Sequence, residues 1–237
     1  MRIAIPSKGR PEFTSRNVFK NPLVFVEPQE VEAYTKANPT LEIINIGESG
    51  RGISFVRNFI INYMDNEIYG VSDDDILSIY EDVKGKFVKL TDDARMLEDV
   101  ESMMSALKMT ALGFPPKAYA WCQTKLIKRD GKILNIIFFN GKLLKPIKYD
   151  NNLRGFVDVD MGLQIIRSGR ISYTYNKYTY ENIPYGEQAG GIGERKLDEM
   201  LKRVDYLNEK WGFGTVKPVI NKKEKGERIA LRIKWKG

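Results

Sequence analysis

The amino-acid sequence predicts an α/β fold built on a mostly parallel sheet flanked by helices, and two observations carry that expectation. The first seventy or so residues run through three β-loop-α steps whose strands are apolar throughout, the pattern of strands buried on both faces. Further on, Asp130-Gly131 and Asn140-Gly141 separate short apolar segments. These are tight-hairpin dipeptides, so an antiparallel meander is expected beside the parallel half.

Taken in order, Arg2 to Ile5 is an apolar run stopped by Pro6, Ser7, Lys8, Gly9, Arg10 and Pro11, a buried strand emptying into a basic loop rich in backbone donors. Leu23 to Val26 is the second strand, closed by Glu27 and Pro28, and Gln29 to Asn38 has helical composition ended by Pro39. Leu41 to Ile46 is the third strand. After Gly47 to Gly52, the apolar positions Phe55 or Val56, Phe59 or Ile60, and Tyr63 or Met64 recur at helical spacing, and Ile68 to Val71 is the fourth strand. Thr91 caps a helix that carries Asp92 and Asp93 in its first turn and Leu97, Val100, Met104, Leu107 and Ala111 on its core face, ending at Gly113. Past Pro115-Pro116, the segments Ala118 to Lys128, Lys132 to Phe139 and Lys142 to Ile147 form the meander. A helix begins near Asp158, aligns Val159, Leu163 and Ile166, and ends at Gly169; Tyr173, Tyr175, Tyr178 and Tyr180 follow in a strand-like stretch. Glu194 to Lys210 forms the last helix, burying Leu197, Met200 or Leu201, Val204 and Leu207, with Trp211 extending the stripe. Pro115-Pro116 and Tyr185 to Gly193 are the candidate linkers within what reads as one domain.

Composition narrows the chemistry. At 237 residues, 42% hydrophobic and 29% charged, the chain is globular and neither disordered nor fibrous. It holds no apolar run of the roughly 18 to 20 residues that span a bilayer and opens without a secretory signal, so a soluble, cytoplasmic protein is expected. Cys122 is the single cysteine, which excludes a disulfide framework and a multi-cysteine zinc site. Histidine is absent, and with it the Ser/His/Asp and Cys/His triads and the HExxH zincins. Carboxylates, lysine, tyrosine or a cofactor must do the work. The net charge of +7 suits a polyanionic partner. Most of the excess lies from Lys217 onward, where eight basic residues face Glu224 and Glu227. That stretch reads either as a solvated end or as a contact for a phosphate backbone.

The most informative cluster is Asp73, Asp74 and Asp75 directly after the fourth strand. Acidic residues favour turns and helix starts, as Asp92 and Asp93 illustrate. Three carboxylates in one turn also call for a cation, and the DxD spacing at a strand end suits Mg²⁺ or Mn²⁺ bridging nucleotide phosphates. The second cluster is Asp158 and Asp160. Asp158 reads as a helix cap or as a general base near the positive end of the helix dipole, and Asp160, two residues on, as a group that orients a neighbour. Lys8, Arg10, Gly50, Arg51, Gly52, Arg57 and Asn58 are individually ordinary loop and surface residues. Gly190, Gly191 and Gly193 match no complete phosphate-loop motif. The tyrosine stretch reads as an edge strand or, beside the basic end, as a base-stacking platform.

In this order the pieces resemble a GT-A (Rossmann-like) glycosyltransferase of the broad family 2 type. IPSKGRP looks like that family's first strand and nucleotide loop, GRGISFVRN like its glycine-then-ArgAsn helix, and VSDDD like its metal motif; GFVDVDMGLQIIRSG is similar to the acceptor-side EDxDxxxRxxxxG pattern. The likeness covers Arg2 to Gly169 and implies that Asp73 and Asp75 bind the metal, Mn²⁺ or Mg²⁺, together with the donor diphosphate and ribose. It also implies that Pro6, Ser7, Lys8, Arg10, Glu27, Arg57 and Asp74 surround a nucleotide-sugar, a UDP-sugar before other carriers, and that Asp158 is the catalytic base. Such a base describes an inverting enzyme, with a retaining outcome the alternative if Asp158 lies away from the attacking hydroxyl. Two departures stand out: Val157 replaces an acidic residue, and without histidine the third protein ligand of many such sites is missing. The ion would then rest on one or two carboxylates, the diphosphate and water.

Within the fold, the compact size, the IPSKGR start and the basic C-terminal end look like the TET-associated glycosyltransferases of bacteriophages. That resemblance implies sugar transfer to the hydroxymethyl group of a modified pyrimidine, usually 5-hydroxymethylcytosine, in phage DNA within the host cytoplasm. Residues 1–112 would be the donor half and 113–237 the acceptor half, with Lys222, Lys223, Lys225 and Arg228 on the DNA backbone. The rival readings are the same fold acting on a polysaccharide, lipid or protein, a noncatalytic nucleic-acid-binding module, and a metal-dependent nuclease or nucleotidyltransferase.

Overall fold

Strands that are apolar on both faces need covering on both faces, and the computed structural model of the chain meets that need with two buried layers around one sheet. It describes residues 1–184, 196–223 and 226–236, and within 221–228 the backbone alone. The chain opens with β1 (Arg2–Pro6), β2 (Leu23–Val26), α1 (Val31–Ala37), β3 (Glu42–Asn45), α2 (Ile53–Met64) and β4 (Ile68–Ser72). It continues with β5 (Ile76–Val83), β6 (Lys86–Lys89), α3 (Ala94–Ala106), β7 (Ala111–Gly113), β8 (Ile127–Arg129), β9 (Ile136–Asn140) and α4 (Gly141–Leu144). It closes with α5 (Val157–Arg167), β10 (Ser172–Tyr175), β11 (Tyr178–Asn182), α6 (Leu197–Trp211), β12 (Val216–Lys223) and β13 (Gly226–Ile233).

Eight strands form the central sheet in the order β3-β2-β1-β4-β9-β7-β10-β8. Only β9 and β8 run against the others. Alternate residues of each strand enter different cores. Ala4, Tyr69 and Phe139 meet Ile60, Met64, Leu163 and Leu207 on the side of α2, α5 and α6. Ile3, Ile5 and Phe138 meet Val100, Met104 and Tyr178 on the other.

The expected α/β class with a mostly parallel sheet is present, while the antiparallel part is assembled from other segments than the sequence suggested. The segment 118–147 is not a meander. Lys117–Cys122 is a 3-10 helix, and β9 inserts between β4 and β7. Asn140 caps α4 by accepting from the Leu143 N–H at 3.3 Å, so Asn140-Gly141 starts a helix instead of a hairpin. The second sheet is β11-β5-β6. Its hairpin turns at Lys84 and Gly85, both at positive φ, a turn that a lysine in the first position disguises in the sequence. The helix expected to reach Ala111 stops at Ala106, because Lys108 takes φ +48° and Ala111–Gly113 pairs as β7; its cap position is Asp93, not Thr91. The tyrosine stretch divides into two strands of different sheets, and Tyr175, Tyr178 and Tyr180 are buried core residues, not a stacking platform.

The basic C-terminal stretch is no loose tail. Strands β12 and β13 pair from Val216↔Ile233 to Lys223↔Gly226, and Leu231, Ile233 and Trp235 pack on the α5-side core. Lys222, Lys223 and Arg228 fall in this hairpin, but their side chains, like all of Lys225 and the linker segment 185–193, lie outside the described residues. No described helix is long and apolar enough to cross a membrane.

One close approach anchors α4. A Cβ on Gly141 would stand 2.0 Å from the Asp65 carbonyl oxygen, and the Gly141 N–H donates to the Glu67 carbonyl at 2.8 Å. Backbone cannot yield as a side chain does, so Gly141→Ala is expected to lower stability by about 1–3 kcal/mol, read as a fall in the thermal midpoint. An unchanged midpoint would show that this turn rearranges freely.

Candidate active site

The carboxyl ends of parallel strands are where α/β sheets bind ligands. Here Pro6 at the end of β1, Glu27 after β2 and the acidic triplet after β4 open into one cavity of about 1040 Å³. The N-terminal turns of α2 and α5, the loop carrying Lys132 and Asn135, and residues Ile229, Ala230 and Leu231 of β13 line further parts of its wall. Pro6, Ser7, Lys8, Arg10, Glu27, Arg57, Asp73, Asp74, Asp75 and Asp158, scattered over about 150 positions, all face this space.

The three aspartates have different surroundings. Asp74 is buried and accepts from Ser7 Oγ and from the Arg10 guanidinium, each at 2.6 Å; burial nevertheless raises its pKa against both partners. Asp73 accepts from Arg57 at 2.7 Å, and its own N–H donates to the Asn135 carbonyl at 2.7 Å. Asp75 Oδ1 is buried with no hydrogen-bond partner among the described residues. Burial, followed by the charges of Asp73 and Asp74, pushes the Asp75 carboxyl up to about 7 in spite of Arg10. A buried carboxylate oxygen without a donor, beside a second carboxylate two residues away, fits a hard divalent cation. No set of three ligating side chains converges among the described residues, so phosphate and water oxygens would complete the shell.

Arg57 joins the triplet to Asp158. On α2, Ser54, Arg57, Ile61 and Met64 form an inward stripe, which carries the guanidinium to 4% exposure. It donates to Asp73 and to Asp158, lies over the Tyr149 ring at 5.4 Å, and leaves its Nε without an acceptor among the described residues. Burial opposes its charge, but the carboxylates of Asp158 and Asp73 outweigh burial and hold it protonated. Asp158 sits in the first turn of α5, after Phe156 at φ +57°, and so is not the helix cap. Burial raises its pKa first; Asp73 adds to the rise and Arg57 resists it.

Other expected residues serve as supports in this structure. Glu27 is buried, with Lys8 Nζ at 2.8 Å from both oxygens, Gln29 at 2.6 Å and the Gly50 N–H at 3.0 Å. Against the upward push of burial, these donors hold its carboxyl below the ordinary value. Asp160 is 1% exposed and accepts from Trp211 Nε1 at 2.8 Å, Gln164 at 2.8 Å and Lys210, tying α5 to α6 and away from the cavity.

Sequence reasoning missed Tyr34, whose hydroxyl meets Ser7 Oγ at 2.7 Å and the Arg10 N–H at 3.0 Å. It also missed Lys132 and Asn135, which line the cavity from a loop read as strand, and the β13 residues. The Asp130-Gly131 turn was the available signal for Lys132; a core-facing Tyr34 carries none.

A profile of TET-associated glycosyltransferases matches residues 1–191. No curated protein matches the sequence. Glucosyl-3-phosphoglycerate synthase from Mycobacterium tuberculosis, solved with Mn²⁺, UDP and glucosyl-3-phosphoglycerate, superposes with a TM-score of 0.57 at 8% identity, covering 100% of this chain and 87% of that one. TarS 1–349 of S. aureus with UDP-GlcNAc gives 0.58 at 11%, covering 89% and 66%. At such identities the likeness is one of fold, the GT-A fold. The profile match extends over well more than half of the sequence, and the chain belongs to the TET-associated glycosyltransferase family.

Proposed function

We propose that this glycosyltransferase moves a sugar from a UDP-sugar to the hydroxymethyl group of 5-hydroxymethylcytosine in phage DNA, in the host cytoplasm, by an inverting reaction that uses Mn²⁺ or Mg²⁺. Residues 1–112 hold the donor and 113–237 the acceptor. The observation that carries the reading is that one cavity holds both the unpartnered Asp75 oxygen and Asp158, with Arg57 bonded to Asp73 and Asp158 between them. The TET association of the family and the basic C-terminal hairpin support a DNA acceptor, and the nucleotide and Mn²⁺ in the synthase complex support the donor and the ion.

Asp158 takes the proton from the acceptor hydroxyl as the glycosyl bond forms. Arg57 favours the ionised form of that carboxylate against burial and aims it, while the helix start adds favourable positive potential. A divalent ion on Asp73 and Asp75 would offset the charge that grows on the departing diphosphate. Glu27 and Lys8 trade their mutual contact for contacts to the nucleotide, Lys8 being half exposed at the rim. Apolar β13 residues Ile229 and Leu231 line the wall against which the acceptor base rests and limit water.

The test is nucleoside mass analysis of 5-hydroxymethylcytosine DNA incubated with a panel of nucleotide-sugars and Mn²⁺. A sugar-sized increment confined to hydroxymethylated DNA and lost on chelation is expected; no increment with any donor, while metal-promoted donor hydrolysis continues, removes DNA as the acceptor. In the same assay Asp75→Asn is expected to lower transfer at least about 10³-fold, since it takes a charge from a site with few protein ligands. Mn²⁺ affinity measured directly should fall with it. Unchanged affinity would place the ion elsewhere.

A further inference from the structure

At the opposite end of α5 from Asp158 lies a second cleft, of about 490 Å³, lined by Arg129, Asp130, Arg167, Arg170 and Lys236. Four cations share it with one carboxylate. Asp130 pairs with Lys236 at 2.9 Å and more distantly with Arg129 at 3.8 Å. The two arginines of α5 and its C-terminal turn have no carboxylate partner among the described residues. Arg167 donates to the Trp211 and Lys234 carbonyls and to Thr215 Oγ1, and Arg170 to the Leu143 and Lys145 carbonyls. These bonds fix both guanidinia without neutralising them, which leaves a concave, preorganised, net positive surface.

Two features relate this cleft to the cavity. Asp130 and Lys132 are two residues apart, the first in the cleft and the second in the cavity wall, so the two sites adjoin within about 7 Å of chain. The turn that Arg167 grips through Trp211 and Thr215 presents Phe213 with its side chain wholly exposed, between two glycines at positive φ. An aromatic offered to solvent beside uncompensated cations suits nucleic acid, which combines charged backbone and apolar bases.

We infer that this cleft holds a backbone phosphate of the acceptor DNA while the modified base occupies the cavity, an inference that rests on the DNA reading above. Arg167 is nine residues from Asp158, about 13 Å along the helix, which corresponds to roughly four nucleotides of one strand. The bound phosphate fixes register and carries no sequence information.

The experiment measures binding of a 5-hydroxymethylcytosine duplex across a salt series, for the unaltered protein and for Arg129→Ala/Lys236→Ala, two exposed positions. Loss of one or two phosphate contacts should reduce the slope of log K against log salt by about one to two and weaken binding about tenfold at low salt, with metal-dependent donor hydrolysis unchanged. Arg129→Lys/Lys236→Arg, which keeps the charge, should restore the slope. An unchanged slope in the alanine variant, with the unaltered protein still modifying DNA, overturns the cleft and leaves the acceptor reading intact. Failure of the unaltered protein to bind or modify any DNA overturns both. Calorimetric binding of inorganic phosphate, lost in the alanine variant while the DNA slope persists, assigns the cleft to a free phosphate and overturns the inference too.

Discussion

Replacing Arg57 with leucine is expected to cost about 3–5 kcal/mol of stability and to reduce sugar transfer to background. Removing one partner of a buried ion pair leaves the other charge without compensation, and here one guanidinium serves two carboxylates, Asp73 and Asp158. The sign of the pH dependence follows. Without Arg57 the downward pull on Asp158 is gone, so its carboxyl, already raised by burial, rises further. A carboxyl raised in the folded state binds protons there that the unfolded chain has released. Stability then falls as pH rises from the ordinary carboxylate range through the raised value. The leucine variant should accordingly be least deficient in mild acid, where it is also inactive because the base is protonated. Arg57→Lys keeps a charge but lacks the fork that reaches both aspartates, so it should recover much of the stability and little of the transfer. Chemical denaturation at pH 5 and pH 8 checks this, and a leucine deficit independent of pH would show that packing on Tyr149, not charge, explains the loss.

How far this site could be read in advance differs from residue to residue, for a physical reason in each case. Asp73 and Asp75 announce themselves because three consecutive carboxylates are electrostatically costly wherever they fall, so the chain must answer them. The orphaned Oδ1 that separates Asp75 from the hydrogen-bonded Asp74 depends on Ser7 and Arg10 arriving from another strand end, and no local pattern shows it. Asp158 and Asp160 stand two apart on one helix and so point to different sides, which separates them in the sequence. What the sequence does not show is the partner: the docking of α6 sets Trp211 and Lys210 on Asp160. The parallel strands were legible from uninterrupted apolar runs. The 118–147 segment was misread because Asp-Gly and Asn-Gly mark chain reversal in general, and β9 is drawn between β4 and β7 by pairing that only the assembled sheet provides. The basic end looked like a tail because lysines dominate it. Its alternate residues Leu231, Ile233 and Trp235 carry the period-2 signal of a half-buried strand.

That division also shapes the charge economy of the cavity. Asp73, Asp74, Asp75 and Asp158 bring four acidic groups to one space, and Arg57 and Arg10 answer three of them directly. Asp75 is the remainder, and since burial raises both its carboxyl and that of Asp158, an effect on an ion there and an effect on the proposed base must be separated experimentally. Asp158→Asn does so. The amide keeps the shape of the side chain and an oxygen for Arg57 to donate to, so the variant should fold with a thermal midpoint far closer to the parent than Arg57→Leu. It cannot accept the acceptor's proton, and positioned general bases contribute about 10² to 10⁴ in rate, so kcat should fall within that range while donor KM and Mn²⁺ affinity hold. At saturating Mn²⁺ an ion held by Asp75 would compete with the proton there and lower its titration. The acid-side fall in kcat that remains then belongs to Asp158, above the ordinary carboxylate range because burial favours its neutral form. In Asp158→Asn that limb should vanish, leaving a low rate flat with pH. A variant that keeps the limb, or keeps the parent's kcat, would assign proton abstraction to another group.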